Sequence, residues 1–467
     1  MKILEKIKSS AAKGGRAPGG NGNGGGGHDL AWIDEFIANV RPYVFVRLED
    51  NLLIKRPNRA QKLNAQGARI LKALLDGMGL EQLLERTGRE PEKVRDIALF
   101  MEEVKRFLEN RQDEFSPTAA LEVQPFEMQF SQLPILSEIA LTYRCNLKCR
   151  FCYAGCNCTT NPAGSDREMS APEIKTVLEK IFRQAKVPSV SFTGGEPTLH
   201  PHLPELIAYA KQLGMRVNLI TNGTRITPEL AQRLSEAGLD SAQVSIEGVS
   251  AEVHDRVTAV RGSFAKTVAG ARHLKAAGIH THTNTTINRL NLAGCPEIPR
   301  FVKETFGNER FSMNLIIPTG SAALNRELAV RYEELAPHLE AISEASRREG
   351  VEFMWYSPTP LCMFNPIVHG FGNKGCSACD GLLSVAANGD LLPCASYDES
   401  VGSLLEEDFP AIWQSERAKQ FREKFWAYPA CRGCEHFPLC HGACPLYWRQ
   451  MGFDELRRRN GFAPGEK

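Results

Sequence analysis

This 467-residue chain lacks three features. It has no run of about 18 apolar residues, so no segment reads as a membrane-spanning helix. Its opening residues, MKILEKIKSS, lack the apolar run and small-residue cleavage site of a secretory signal. It also has almost no net charge: 56 Lys and Arg stand against 55 Asp and Glu, for +1 overall. That balance excludes a global field able to gather nucleic acid or an anionic membrane surface. The three absences predict a cytoplasmic protein without nucleic-acid or membrane partners. A hydrophobic content of 42% with 24% charged residues is ordinary for a globular chain. The length allows two to four domains.

Cysteine, by contrast, is abundant, with 14 in all. A disulfide framework suits a small secreted domain, and this chain is neither small nor secreted. Cys145, Cys149, Cys152, Cys156 and Cys158 crowd into one stretch. Cys376, Cys379, Cys394, Cys431, Cys434, Cys440 and Cys444 occupy a second region. Such spacing points to metal, either zinc or iron–sulfur.

The chain divides by pattern. Residues 9–28 are mostly Gly, Ser, Ala and Asn and cannot bury a core. PYVFVRLEDNLLI reads as two short strands around the turn Glu49-Asp50-Asn51. An amphipathic helix follows Leu63-Asn64, with Ile70, Leu71, Leu74 and Leu75 on one face. Two more helices are expected near 79–87 and 90–110, with Pro91 in the first turn of the last. This makes a small winged-helix-like unit. Residues 65–78 hold only Arg69 and Lys72 as basic groups, so the unit lacks a basic recognition helix for DNA. From residue 135, six apolar runs beginning with ILSEIALTY alternate with helical stretches over 172–186, 203–213, 228–237, 264–277 and 294–306. Strand–helix alternation predicts a parallel sheet that curls into a partial barrel. Ligand-binding groups then belong at the C-terminal strand ends. Cys145, Gly194-Gly195-Glu196, Thr221-Asn222-Gly223 and Ser245-Ile246-Glu247-Gly248 all fall there.

Cys145, Cys149 and Cys152 form CxxxCxxC. Three thiolates on one loop can hold three irons of a [4Fe–4S] cube and leave the fourth open. A zinc loop is the competing reading. With Phe151 before the last cysteine and GGEP at 194–197, the stretch 135–320 resembles the radical S-adenosylmethionine (SAM) superfamily. The resemblance implies that SAM chelates the open iron and is reductively cleaved to a 5′-deoxyadenosyl radical that takes hydrogen from a substrate. It implies an external electron donor such as flavodoxin or ferredoxin. It also implies that Gly194, Gly195 and Glu196 meet the SAM amine, that Ser245 and Glu247 lie on the ribose side, and that Asn222 and Thr221 line the same rim. Arg261 resembles an arginine near the SAM carboxylate. A solvated arginine at a helix start is the alternative. No further catalytic residue is assigned.

Cys379-x9-Gly389-x4-Cys394 followed by Cys431-x2-Cys434-x5-Cys440-x3-Cys444 resembles the SPASM domain. That domain carries auxiliary [4Fe–4S] clusters, and a zinc ribbon is the alternative. The resemblance implies that Cys376, Cys379, Cys394 and Cys444 hold a first auxiliary cluster, and that Cys431, Cys434 and Cys440 hold a second. The family's last cysteine is missing, since nothing after Cys444 is Cys. The second site then keeps an open iron, recruits a non-Cys ligand, borrows Cys362, or does not form, leaving one or two auxiliary clusters. Cys362 and Cys295 otherwise read as buried thiols. Cys156 and Cys158 read as loop cysteines without a catalytic role, with a substrate-side thiol as the alternative.

Arg41-Pro42, the strand pair, Leu63-Asn64 and the helix with Leu71 and Leu75 resemble PqqD-type peptide-recognition elements. Such elements take a leader peptide as an added strand. The expected domains are therefore a Gly-rich tail over 1–37, a PqqD-like winged-helix unit over 38–112, a linker over 113–134, a radical SAM core over 135–345 and a SPASM-type domain over 346–467. The substrate best matching this set is a ribosomally made precursor peptide. A tetrapyrrole of the heme type, another cofactor, or a protein's own active-site residue is the alternative. A non-catalytic iron–sulfur or zinc adaptor is the reading from another class.

Overall fold

The computed structural model describes residues 30–57, 59–109, 131–156 and 167–461. The chain forms two compact units, Met1–Pro125 and Phe126–Lys467. No helix among the described residues is long and apolar enough to cross a membrane.

The first unit runs α1 (Trp32–Val40), β1 (Val44–Arg47), β2 (Leu52–Lys55), β3 (Arg59–Lys62), α2 (Ala65–Leu75), α3 (Leu80–Thr87) and α4 (Pro91–Glu109). Two expectations need correction. The described end of the supposed tail is helical: Ile33, Phe36, Ile37 and Val40 repeat at helical spacing and join the core of this unit. The sheet also has three strands, not two, in the order β1-β2-β3. Strand β3 reads RAQK, half-exposed and without an apolar alternation, so no pattern announced it. The β1–β2 turn was legible. Its Asp50 closes a fully buried ion pair with Arg47 at 2.8 Å, and Asn51 takes the left-handed conformation (φ 54°) that asparagine tolerates. Asn64 caps α2 by accepting from Gly67 N at 2.7 Å. Leu71 lies fully in the core, and Leu75 is partly buried against it.

The second unit is built on one ten-stranded sheet in the order β10-β9-β8-β7-β6-β5-β4-β11-β12-β13. The strands β4 (Leu136–Thr142), β5 (Ser189–Gly194), β6 (Arg216–Thr221), β7 (Ser241–Ser245), β8 (His280–Ile287), β9 (Arg310–Leu315) and β10 (Glu352–Trp355) run parallel. Helices connect them, as short parallel connections require. The helix Ala171–Arg183 starts on a capping box between Ser170 and Glu173. Pro228–Glu236 starts on Thr227, which accepts from Leu230 N at 3.2 Å.

The α/β partial barrel is thus as expected, with a seventh parallel strand, β10, beyond the six read from the pattern. Residue 345, the expected domain edge, falls inside the helix Tyr332–Glu349. The cysteine-rich region also shares the sheet. Its β11 (Leu382–Val385) pairs in parallel with β4, and β12 (Asp390–Leu392) and β13 (Gly402–Ser403) extend it antiparallel. Four residues of β11 could as well have been a buried loop, and only pairing with β4 identifies them. The expected linker falls mainly on 113–130, outside the described residues.

Candidate active site

The end of β4 leads directly into the loop carrying Cys145, Cys149 and Cys152. The β5 end holds that loop in place. Gly195 N donates to Thr142 O at 2.7 Å, and Glu196 N donates to Arg144 O at 2.9 Å. A Cβ at Gly194 would stand 2.2 Å from Thr142 O, and one at Gly195 would stand 2.3 Å from Arg144 O. Only glycine lets the two backbones come this close. The glycine N–H of Gly195 is therefore spent on the cysteine loop, and the pair acts here as a support for that loop.

Glu196 is fully buried. Its Oε1 accepts from Thr198 N at 3.1 Å, Thr198 Oγ1 at 2.6 Å and Thr221 Oγ1 at 2.7 Å. Among the described residues its Oε2 accepts only from Asn222 N, at 2.8 Å. Oε2 thus keeps accepting capacity for an added donor. Burial raises the carboxyl's pKa, and the hydrogen bonds from Thr198, Asn222 and Thr221 pull it back. Asn222 also reaches Cys145: its Nδ2 lies 3.9 Å from the Cys145 Sγ and 3.0 Å from Asn146 Oδ1. The ends of β5 and β6 are therefore wired to the first cysteine.

Glu247, past the end of β7, is buried and accepts from Thr286 N at 2.9 Å. Burial pushes its carboxyl up to about 8. It lies within electrostatic reach of Cys149. Its backbone N–H donates to His254 Nδ1 at 3.1 Å. Ser245 ends β7, half-buried, opposite Asn284 of β8. Arg261 does not join this network. It is exposed on the turn before Ser263–Ala276, and no side-chain hydrogen bond or ion pair to it exists among the described residues.

The three thiols gather on one side of a cavity of about 430 Å³ that Lys148, Arg150, Ser321 and Asn325 also line. Burial pushes Cys145 up to about 11 and raises Cys149. Cys152 is lowered, first by a hydrogen bond from the Cys156 thiol. Cys156, expected to be an idle loop residue, is thus brought against the third cysteine. Cys158 lies outside the described residues. Three soft thiolates with no carboxylate or imidazole among them suit iron–sulfur. Among the described residues no three His, Cys, Asp or Glu side chains converge tightly enough for one metal ion. A four-iron cube spreads its thiolates more widely than a single tetrahedral ion does.

The C-terminal cysteines fall into two groups. Cys376, Cys379, Cys394 and Cys444 act on one another electrostatically; Cys394 is half-buried and the other three are buried. The fully buried Lys424 donates to Cys376 O and to Asp380 Oδ2, both at 3.0 Å. Cys431, Cys434 and Cys440 form the second group, with Cys362 beside them. Cys362 is exposed, contrary to its reading as a buried thiol. Cys295 is buried as expected, and its Sγ donates to Asn291 O at 3.4 Å.

Sequence reasoning missed several polar residues here. Asn284, Ser312 and Asn314 bond one another across β8 and β9, with Asn284 Nδ2 donating to Asn314 Oδ1 at 2.7 Å. Their signal was available: HTHTNTTI is far more polar than a parallel strand buried on both faces should be.

Thiols at the first strand end of an open parallel barrel, backed by buried carboxylates and two further thiol groups, define an iron–sulfur enzyme of the α/β class. Family comparison carries this further. Residues 139–297 match the radical SAM superfamily, and residues 376–435 match an iron–sulfur cluster-binding domain, SPASM. The AdoMet-dependent heme synthase of Nitratidesulfovibrio vulgaris is 32% identical over 344 residues, covering 68% of this chain and 88% of that protein. The PqqA peptide cyclase of Xanthomonas euvesicatoria pv. vesicatoria is 28% identical over 333 residues, covering 68% of this chain and 84% of its own length. Among solved structures, Streptococcus suis SuiB bound to precursor peptide SuiA superposes with a TM-score of 0.62 at 17% identity, covering 87% of this chain and 95% of SuiB. The chain belongs to the radical SAM superfamily and carries its SPASM iron–sulfur domain. It is a radical SAM enzyme, with a SAM-binding [4Fe–4S] cluster and auxiliary iron–sulfur in its C-terminal region.

Proposed function

We propose that this enzyme modifies a side chain of a ribosomally made precursor peptide, docked by the N-terminal unit through strand addition. One observation carries the reading: the SuiB–SuiA likeness covers 87% of this chain, more than residues 126–467 can supply. It therefore extends into the three-stranded unit, which fits a PqqD-like element. The edge favoured here is β3, which has no second strand partner among the described residues. The stretch 43–55, expected to lie beside the peptide, keeps only the mostly buried β1 edge, because β2 is paired on both sides. Leu63 N donates to Asn51 O at 2.8 Å. Strand alternation then turns the N–H groups of Ala60 and Lys62 outward, ready for a partner backbone.

The cluster and SAM, once bound, supply radical hydrogen abstraction; the chain supplies position. Cys145, Cys149 and Cys152 hold the cluster. Glu196 offers Oε2 to the SAM ammonium, as a carboxylate suits a cation. Asn222 orders the rim, and Ser245 and Glu247, at the end of β7, are the ribose-side groups, Glu247 within electrostatic reach of Cys149. A second cavity, of about 170 Å³, is lined in part by Tyr143, Tyr153, Thr319, Tyr397, Asp398 and Arg449. Tyr143 feels Cys156, and Tyr397 feels Cys376, Cys394 and Cys444. The cavity therefore lies between the SAM-site thiols and the first auxiliary group. Its volume suits one side chain and is below the roughly 300–1,000 Å³ of whole small-molecule sites. Flavodoxin or ferredoxin in the cytoplasm is the electron source in this reading.

A second reading, a tetrapyrrole substrate, is favoured by the 32% identity to heme synthase. Ala60→Pro separates the two. It removes one outward N–H and leaves the β2 ladder intact. Affinity for a precursor peptide encoded beside this gene should fall at least tenfold, with substrate-free SAM cleavage unchanged. Unchanged peptide binding, or processing of a heme-type tetrapyrrole in its place, overturns the peptide reading.

A further inference from the structure

We propose that Cys362 is the fourth thiolate of the second auxiliary cluster, completing the set Cys431, Cys434 and Cys440. The inference depends on the auxiliary-cluster assignment and is independent of the peptide substrate. Cys362 comes from the turn after β10, outside the matched SPASM segment 376–435. The fold nevertheless delivers it to the three-cysteine group. Its thiol acts electrostatically on both Cys431 and Cys440, and the backbone of its neighbour Leu361 hydrogen-bonds the Cys440 thiol.

The chain beyond Cys444 carries no cysteine. Its last helix, Asp454–Asn460, instead grips the Cys362 turn. Arg459 Nε donates to Cys362 O at 3.1 Å, and Asn460 Nδ2 lies 3.5 Å from Cys362 Sγ. That helix thus holds in place a thiol from outside the cysteine-rich region. Rival donors are placed less well. His436 Nε2 faces Glu435 Oε1 at 3.6 Å, and both side chains are strongly exposed. His441 turns its Nδ1 to Cys376 O at 3.3 Å, toward the other group. Four thiolates form the usual complete ligand set of a [4Fe–4S] cluster. Cys362 and Cys434 are both exposed, so the second cluster sits at the protein surface.

The test uses the full chain carrying Cys145→Ala, Cys149→Ala and Cys152→Ala, so that only auxiliary iron is counted. Anaerobic reconstitution should give about eight irons per chain, at about four per cluster. Adding Cys362→Ala should reduce this to about four, or to about seven with the electron paramagnetic resonance signal of a three-iron cluster. About eight irons with an unchanged Mössbauer spectrum overturns the proposal, as does a parent holding only about four. A second measurement needs no substitution at Cys362. In the iron-free full chain, iodoacetamide should label Cys362. After reconstitution the residue should be shielded together with Cys431, Cys434 and Cys440. Labelling of Cys362 while those three stay protected overturns the assignment, even where the variant fails to fold. The peptide reading fails separately, through an Ala60→Pro variant that binds normally.

Discussion

Glu196→Gln tests the site with a change of one atom. The carboxylate makes four hydrogen bonds, three to Oε1 and one, from Asn222 N at 2.8 Å, to Oε2. The amide oxygen can serve the crowded side. Its NH2 then meets the Asn222 N–H donor to donor, and a buried backbone donor without a partner costs about 1–3 kcal/mol. The same substitution removes the negative charge that the proposed role of Glu196 sets against the SAM ammonium. A hydrogen bond to a charged group contributes about 1.5–3 kcal/mol, so SAM should bind roughly 10–150-fold more weakly. Equilibrium SAM binding to reconstituted enzyme measures the second effect, and urea denaturation of the iron-free chain measures the first. Glu205→Gln, on an exposed helix face, is the control and should change neither. SAM affinity within about threefold of the parent, with stability reduced as expected, would show that Oε2 serves only the β6 end. The role given to Glu196 would then be refuted.

Three further outcomes follow from the structure. Replacing Cys145, Cys149 and Cys152 together by Ala should abolish 5′-deoxyadenosine formation while auxiliary iron remains; undiminished product would sink the SAM-site assignment. Lys424→Met leaves Asp380 without its buried partner at 3.0 Å. It should destabilise the iron-free chain by about 3–5 kcal/mol, and an unchanged urea midpoint contradicts this. Glu247 sets a pH dependence. Its carboxyl holds a proton more tightly folded, at about 8, than at its ordinary 4.5. The stability it contributes is complete below 4.5 and is lost as pH rises through about 8. Melting of the iron-free chain should therefore fall over that window, and Glu247→Gln should flatten the fall; parallel curves for the two proteins refute it.

The partial barrel was legible because its periods are strong. Helices such as Ala171–Arg183 carry apolar residues at helical spacing, with caps written in single residues such as Ser170 and Thr227. Strand β3 was not legible, because RAQK has neither apolar alternation nor β-branched residues, and its pairing with β2 overrides that weak preference. Arg261 shows the limit on the site side. It lies on the turn between the helices Ala251–Thr258 and Ser263–Ala276 and is exposed there, so its motif position alone does not place its side chain.

By itself the sequence determined what lies close along the chain: the CxxxCxxC loop, the glycines that let the β5 end press against it, and the soft donor set that calls for iron–sulfur. Each of these depends on neighbours a few residues apart, where spacing fixes geometry. Only the tertiary structure decided what arrives from far away. Asn222 reaches Cys145 because β6 lies two strands from β4, with β5 between them. Cys362 comes to Cys431 and Cys440 while the helix Asp454–Asn460 grips its turn. Sequence distance carries no information about such meetings, because strand order and packing close those loops, and the spacing of the residues they join does not.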